Sequence, residues 1–282
     1  STLIITILFF LLSKVFPYEL NQKLNFLSRN QTWIPIFALF AGSLVGLIDD
    51  ILVVSSGGKY LGGGISLKKR LFLVGVIGLS GGLWFYYKLD MAGVMIPFWG
   101  PIGLGVLFVP FFVLVMIALF SGGVIDGIDG LSGGVFAAIF AAYGGIAFFQ
   151  NQINIAAFCG IIVGGILAFL WFNIPPARFY MGETGILGLI TTLTVIAFLT
   201  NAVAVLPIIA FPLLADSGSI IIQWLSKRFF HKKIFKITPV HHHFEALGWP
   251  SYKVVMRFWI ISVVFAMIGM VIALWGNPLG KF

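Results

Sequence analysis

Charge is scarce in this chain. Only 9% of its 282 residues are charged, while 60% are hydrophobic; a soluble domain is about a quarter charged. Acidic residues are the scarcest, nine beside 17 Lys and Arg. Mean hydropathy is +1.09. A water-soluble fold of this length could not hide so much apolar surface, so soluble classes are excluded and a polytopic membrane protein is expected. The single cysteine, Cys159, lies inside an apolar run. With no partner it forms no internal disulfide, and it reads as a small core residue. The chain start lacks the basic stretch and small-residue cleavage site of a signal peptide. No soluble domain, linker or low-complexity tract is visible. The net charge of +8 does not indicate nucleic acid as a partner, because basic residues in such a chain set orientation and meet anionic headgroups.

Glycine and phenylalanine are plentiful, 34 and 30 residues. Small residues let helices approach closely in lipid, and phenylalanine suits a lipid-facing surface. Nine apolar segments can be drawn, at 2–16, 33–48, 71–87, 102–120, 132–149, 153–172, 185–201, 204–225 and 257–275. In lipid these must be helices, because each backbone polar group needs an internal partner. The lack of period-2 alternation argues against a barrel. The expected fold is an all-α transmembrane bundle, one domain over 1–282. Segment 2–16 falls short of the ~20 residues that span a bilayer and reads as a helix truncated at its start. Alternating the sides places 12 of the 17 Lys and Arg beside the loops 49–70, 121–131, 173–184 and 226–256. That side is therefore expected to be cytoplasmic. The stretch 226–256, basic and interspersed with Phe and Trp, is expected to lie along the interface.

Five of the nine carboxylates fall on that side in three short breaks: Asp49 and Asp50, Asp126 and Asp129, and Glu183. Adjacent carboxylates such as Asp49 and Asp50 repel unless a cation or proton lies between them; at a segment end they can also be simply hydrated. Asp126 and Asp129 are three apart, the spacing of one helical face. The glycines around them can offer N–H groups to phosphate, or merely turn the chain. After Pro175 and Pro176 stop a helix, Glu183 opens the next one, where the dipole favours its charge. Tyr180 offers a flat ring suited to stacking on a base. His241, His242 and His243 cannot all share one helical face, since neighbours sit ~100° apart. Zinc is one use for them, but the carboxylates favour a hard cation such as Mg²⁺. Lys68, Lys69, Arg70, Arg178 and Lys227 could offset the repulsion of a phosphate-bearing substrate. Such a surface suits phosphoryl transfer, where positioning and charge neutralisation dominate. Asp216, deep in segment 204–225, is either functional or a buried hydrogen-bonding residue.

In order and spacing, Asp49-Asp50, Asp126 to Gly130, Asn173 through Gly185 and Pro239 through Glu245 resemble the polyprenyl-phosphate hexose-1-phosphate transferases. The likeness covers nearly the whole chain. Pro239 through Glu245, followed by Gly248-Trp249-Pro250 and Arg257-Phe258-Trp259, resembles the branch acting on UDP-MurNAc-pentapeptide. The resemblance implies ten transmembrane helices in the full chain, the first missing here. It implies transfer of phospho-MurNAc-pentapeptide to undecaprenyl phosphate with Mg²⁺ and release of UMP, at the cytoplasmic face of a bacterial inner membrane, and a homodimer. It implies that Asp49 deprotonates the lipid phosphate and that Asp50 and Glu183 serve the metal. Asp126, Asp129 and Asn173 would line the nucleotide site, with Lys68 and Arg70 on phosphate. Tyr180 would stack on uracil, and His241, His242 and His243 would close the site. The chain departs from the family pattern with Glu183 in place of Asp, Val53 in place of Lys, and Phe120 and Gly123 in place of Asn. Two other readings stand beside this one: transfer of GlcNAc-1-phosphate to the same lipid, and a non-catalytic binding protein or transporter, which Asp216 would favour.

Overall fold

The computed structural model describes residues 30–55 and 64–277, with positions 7, 8, 11, 14 and 15 before them. Most of the expected segment 2–16, and Lys59, lie outside the described residues. The helices are α1 (Asn30–Ser55), α2 (Leu67–Lys88), α3 (Phe108–Ser121), α4 (Leu131–Phe149), α5 (Ile153–Asn173), α6 (Gly182–Leu199), α7 (Leu206–Ile209), α8 (Phe211–Phe230), α9 (Val240–Ala246) and α10 (Ser251–Trp275). Among the described residues, seven helices are long and apolar enough to cross a membrane, and an eighth span results if the bent pair α7–α8 is one crossing. An antiparallel hairpin, β1 (Gly93–Ile96) with β2 (Gly100–Gly103), joins α2 to α3.

α6 is the central helix: every residue from Ile186 to Leu199 is buried. Its threonines are tolerated because their hydroxyls bond back along the helix, Thr192 to the Gly188 carbonyl at 2.7 Å and Thr194 to Ile190 at 3.0 Å, so no polar group is stranded in apolar surroundings. α1 lies against α6 along a seam of small residues. A Cβ on Gly42 would sit 2.6 Å from the Leu187 carbonyl oxygen, one on Gly46 would collide with the Glu183 carbonyl, and one on Gly188 with the Ser43 hydroxyl. Glycine at these points lets the two backbones touch, and Thr191 adds a hydrogen bond to the Ala38 carbonyl at 2.8 Å. Phe85, Phe112 and Phe198 pack where α2, α3 and α6 meet, with ring centroids 4.5 to 6.1 Å apart.

Two expectations change. The segment drawn as 33–48 continues to Ser55, so Asp49 and Asp50 lie within α1 rather than at its end. The segment 204–225 is broken at Ala210 and bent by 78°, with Pro207 and Pro212 on either side; proline removes a helical hydrogen bond and crowds the preceding turn. The stretch 226–256 holds the end of α8, all of α9 and the start of α10, with residues 231–239 and 247–250 between them outside helices.

The helix ends fall on two faces. On one face, Gln150 donates to the Thr200 carbonyl at 2.9 Å and Tyr143 to the Ala202 carbonyl at 3.1 Å. The opposite face gathers the end of α1, the start of α2, the 122–130 turn, the 174–181 turn and α9.

Candidate active site

The Gly46 contact brings α1 so close to α6 that Asp50 reaches the first turn of that helix. One Asp50 oxygen accepts the Glu183 N–H at 3.1 Å; the other accepts the Thr184 N–H at 3.0 Å and its hydroxyl at 2.6 Å. Free N–H groups and the dipole at a helix N-terminus favour such a carboxylate. Asp49, one residue earlier, is 1% exposed. It accepts a hydrogen bond from the Ile65 backbone N–H and lies 3.5 Å from Arg70. The same Arg70 nitrogen meets Glu183 at 2.5 Å, and Arg70 Nε donates to the Ile65 carbonyl at 2.9 Å. One guanidinium thus neutralises two carboxylates from two helices, which answers the repulsion expected between them. Lys68 is exposed at the start of α2.

The second group lies on the 122–130 turn. Asn173 ends α5 and ties two loops together: its oxygen accepts the Gly130 N–H at 2.9 Å, and its amide donates to the Phe179 carbonyl at 2.9 Å. Asp129 accepts the Ala177 N–H at 3.0 Å. Asp126 accepts the Ser132 hydroxyl at 2.6 Å. Although Asp126 is partly accessible to solvent, desolvation by the surrounding protein pushes its carboxyl above the usual range; the Ser132 hydrogen bond opposes this and the Asp50 charge adds to it. Asp126, Asp129 and Asn173 therefore share one locale, but Asn173 and Asp129 bond to backbone and hold the turns together. Trp259 on α10 closes the ring by donating to the Gly130 carbonyl at 3.0 Å.

The histidines divide as the spacing predicts, each with its own partner. His241 is buried against Asp216, Nδ1 to carboxylate oxygen 2.7 Å. His242 meets Glu245 at 2.7 Å. His243 accepts the Lys236 N–H at 3.1 Å. Burial acts to raise the Glu245 carboxyl, but the Ser251 hydroxyl at 2.5 Å and His242 outweigh it, and the net shift is downward. Gly127 brings α9 onto the 122–130 turn: a Cβ there would lie 2.6 Å from His241 Nε2 and 3.0 Å from His242 Nε2.

Tyr180 is 70% exposed. It lines a cavity of about 320 Å³ between α1, α5 and α6, with Ser43, Phe179 and Thr184. Phe179 beside it is anchored on Phe169 and Phe172, at 5.4 and 5.7 Å. Among the described residues, no three His, Cys, Asp or Glu side chains converge as a metal site. The donor chemistry of Asp50 and Glu183 still fits Mg²⁺, which is commonly held by one or two carboxylates, water and substrate phosphate.

Sequence reasoning missed Thr184, Ser132, Ser251 and the Ile65 N–H. Each stands close in sequence to a residue already singled out or donates from backbone, and hydroxyls that bind carboxylates carry no pattern of their own.

Residues 32–201 match glycosyl transferase family 4. The chain is similar to the phospho-N-acetylmuramoyl-pentapeptide-transferase of Rickettsia bellii, 34% identical over 265 residues, covering 86% of this chain and 73% of that protein. It is 33% identical to the Chloroflexus aggregans protein of the same name over 274 residues, 92% and 74% covered. It is 35% identical to the Listeria monocytogenes one over 247 residues, 86% and 75% covered. With the family match spanning more than half of the chain and these relatives most of it, the chain belongs to glycosyl transferase family 4, in the group of the phospho-N-acetylmuramoyl-pentapeptide-transferases.

Proposed function

We propose that this membrane protein transfers phospho-MurNAc-pentapeptide from UDP-MurNAc-pentapeptide to undecaprenyl phosphate, leaving lipid I and releasing UMP, for peptidoglycan synthesis. The observation that carries the reading is the joining of Asp49, Asp50, Glu183 and Arg70 from three helices beside the 122–130 turn and the histidines, in a chain with relatives of that printed name. An oxygen of the lipid phosphate attacks the phosphorus bearing the sugar, a new P–O bond forms, and the bond to UMP breaks. Asp49 takes the proton of the lipid phosphate. Arg70 supports this role: a doubly charged diphosphate competes for a guanidinium that Asp49 and Glu183 already share, and its departure frees Asp49. Asp126, Asp129 and Asn173 shape the nucleotide pocket, Tyr180 stacks on uracil, and Lys68 and Arg70 meet phosphate. Glu183 and Asp50 would hold Mg²⁺, which would supply charge neutralisation at the diphosphate. The site faces the cytoplasm across a bacterial inner membrane, supported by the Lys and Arg on that side, and the protein works as a homodimer.

The transporter alternative loses the feature that favoured it. Asp216 is not free inside a continuous span; it lies just past the bend and is bonded to His241. The test is UMP release from UDP-MurNAc-pentapeptide by the full-length chain with Mg²⁺, with the lipid product weighed by mass spectrometry. Turnover of UDP-GlcNAc but not of UDP-MurNAc-pentapeptide would refute the assignment. UMP release that survives both Asp49→Asn and Glu183→Gln would refute the residue roles.

A further inference from the structure

Asp216 lies in the second turn of α8 and His241 in the first turn of α9; neither has any exposed surface. The carboxylate grips the histidine twice. One oxygen meets Nδ1 at 2.7 Å, and the other accepts the His241 backbone N–H at 3.3 Å. A carboxylate only accepts hydrogen bonds, so Nδ1 carries a proton and the ring orientation is set. The other ring nitrogen, Nε2, is buried without a hydrogen-bond partner. Leaving such an atom unpaired costs free energy, and native structures seldom do so without a reason. It lies against Gly127, which is exposed and stands next to Asp126. His242 Nε2 faces the same glycine, with Glu245 on its far side. Nε2 is therefore one backbone residue away from the surface of the candidate site.

We propose that Asp216 is a positioning residue that acts through His241: it fixes the proton on Nδ1 and aims Nε2 at an anionic oxygen of a nucleotide-sugar diphosphate bound over the Gly127 turn. This rests on the reading of the site as a UDP-sugar transferase. When that oxygen arrives, the ring takes one proton from water, Nε2 donates to the ligand, and Asp216 remains the counter-ion on the other side. Only a carboxylate at position 216 does both tasks; an amide there can present its own N–H to Nδ1 and reverse the tautomer.

The test combines kinetics with ¹⁵N spectra of imidazole-labelled full-length protein. In the wild type, His241 should show a proton on Nδ1, and UDP-MurNAc-pentapeptide should add one on Nε2. Asp216→Asn should lower kcat/KM about 10- to 100-fold, the range for losing the partner that orients an imidazole, and part of the loss should appear as a raised KM, because Nε2 already meets the bound substrate. Asp216→Glu should restore part of it. The double variant Asp216→Asn with His241→Gln should be no worse than His241→Gln alone. Multiplying losses in the double variant, or an Nε2 signal that ignores the nucleotide sugar, would overturn the proposal. If Asp216→Asn does not fold, Asp216→Glu, His241→Gln and the wild-type spectra still decide. A wild type that turns over UDP-GlcNAc instead sinks the substrate assignment alone, and the same spectra with UDP-GlcNAc then judge Asp216.

Discussion

Asp50 accepts three hydrogen bonds from the first turn of α6, so it caps that helix from another one. Removing a cap costs about 1 kcal/mol; Asp50→Ala should lower the melting temperature in detergent and Asp50→Asn should lower it less. An unchanged melt would show that the cap contributes nothing. Glu245 gives a pH signature. Burial alone would raise its carboxyl, but Ser251 and His242 bring it below the usual 4.5. A depressed carboxylate adds stability that is present above pH 4.5 and lost as pH falls through the lowered value. Glu245→Gln should therefore flatten the acid-side loss of stability, read as melting temperature against pH; the same slope in both proteins would contradict it. Asp126 has the opposite sign. Its carboxyl is raised above 3.8, so it works against stability increasingly as pH rises from 3.8 through its folded value and fully above that, and Asp126→Asn should leave the fold at least as stable at neutral pH.

The seam between α1 and α6 matters most at the scale of elements. Gly42, Gly46 and Gly188 set the distance between the helices, and that distance sets whether Asp50 reaches Glu183 and Thr184. At Gly46 the obstruction is backbone, which cannot rotate away. Gly46→Val should cost at least about 1–3 kcal/mol, the usual penalty of overpacking, and should abolish UMP release. Gly160 offers a control on α5: a Cβ there meets nothing within 4 Å, so Gly160→Ala should fold and turn over like the wild type. Equal effects at the two positions would mean that the seam does not govern the site. The bend between α7 and α8 is the second decisive element. It turns α8 so that Asp216, Ser219, Gln223 and Ser226 face protein, while Ile222, Trp224 and Phe229 remain exposed. A helix with its polar stripe inside and apolar side chains outside suits a lipid surround. Gln223 then holds the chain after α8 by accepting the Ile234 N–H at 2.9 Å and donating to the Phe235 carbonyl at 2.8 Å.

Across the described residues, the candidate site residues gather on one face. Asp49, Asp126, Glu183 and the histidines belong there, while the hairpin and the 150–152 and 200–205 turns close the other. The basic run Lys232, Lys233 and Lys236 lies with the site. In inside-out vesicles it should be open to trypsin, and in right-side-out vesicles protected; the reverse would place the site outside the cell. A chelator should stop UMP release and Mg²⁺ should restore it, whereas full activity in chelator would remove the metal from the mechanism.

The membrane class, the helical fold and the grouping of carboxylates on one face were legible in the sequence alone. Apolar length, the need for internal backbone hydrogen bonds and the bias of Lys and Arg are local or additive properties of the chain. The His triplet was legible too, including that its three members could not all share one helical face. The sequence did not reveal the break at Ala210, because hydropathy runs smoothly through it, nor that α1 continues past Asp50. It left Asp216 open between a functional and a hydrogen-bonding role; its partner His241 is 25 residues away. Arg70 was legible as a positive charge near phosphate, but not as the bridge between Asp49 and Glu183, which is 113 residues further on. The meeting of Asp49 and Glu183 depends on how closely helices approach, a distance set by the glycine contacts between α1 and α6, and that of Asp216 with His241 on the bend before α8; only the tertiary structure decides either.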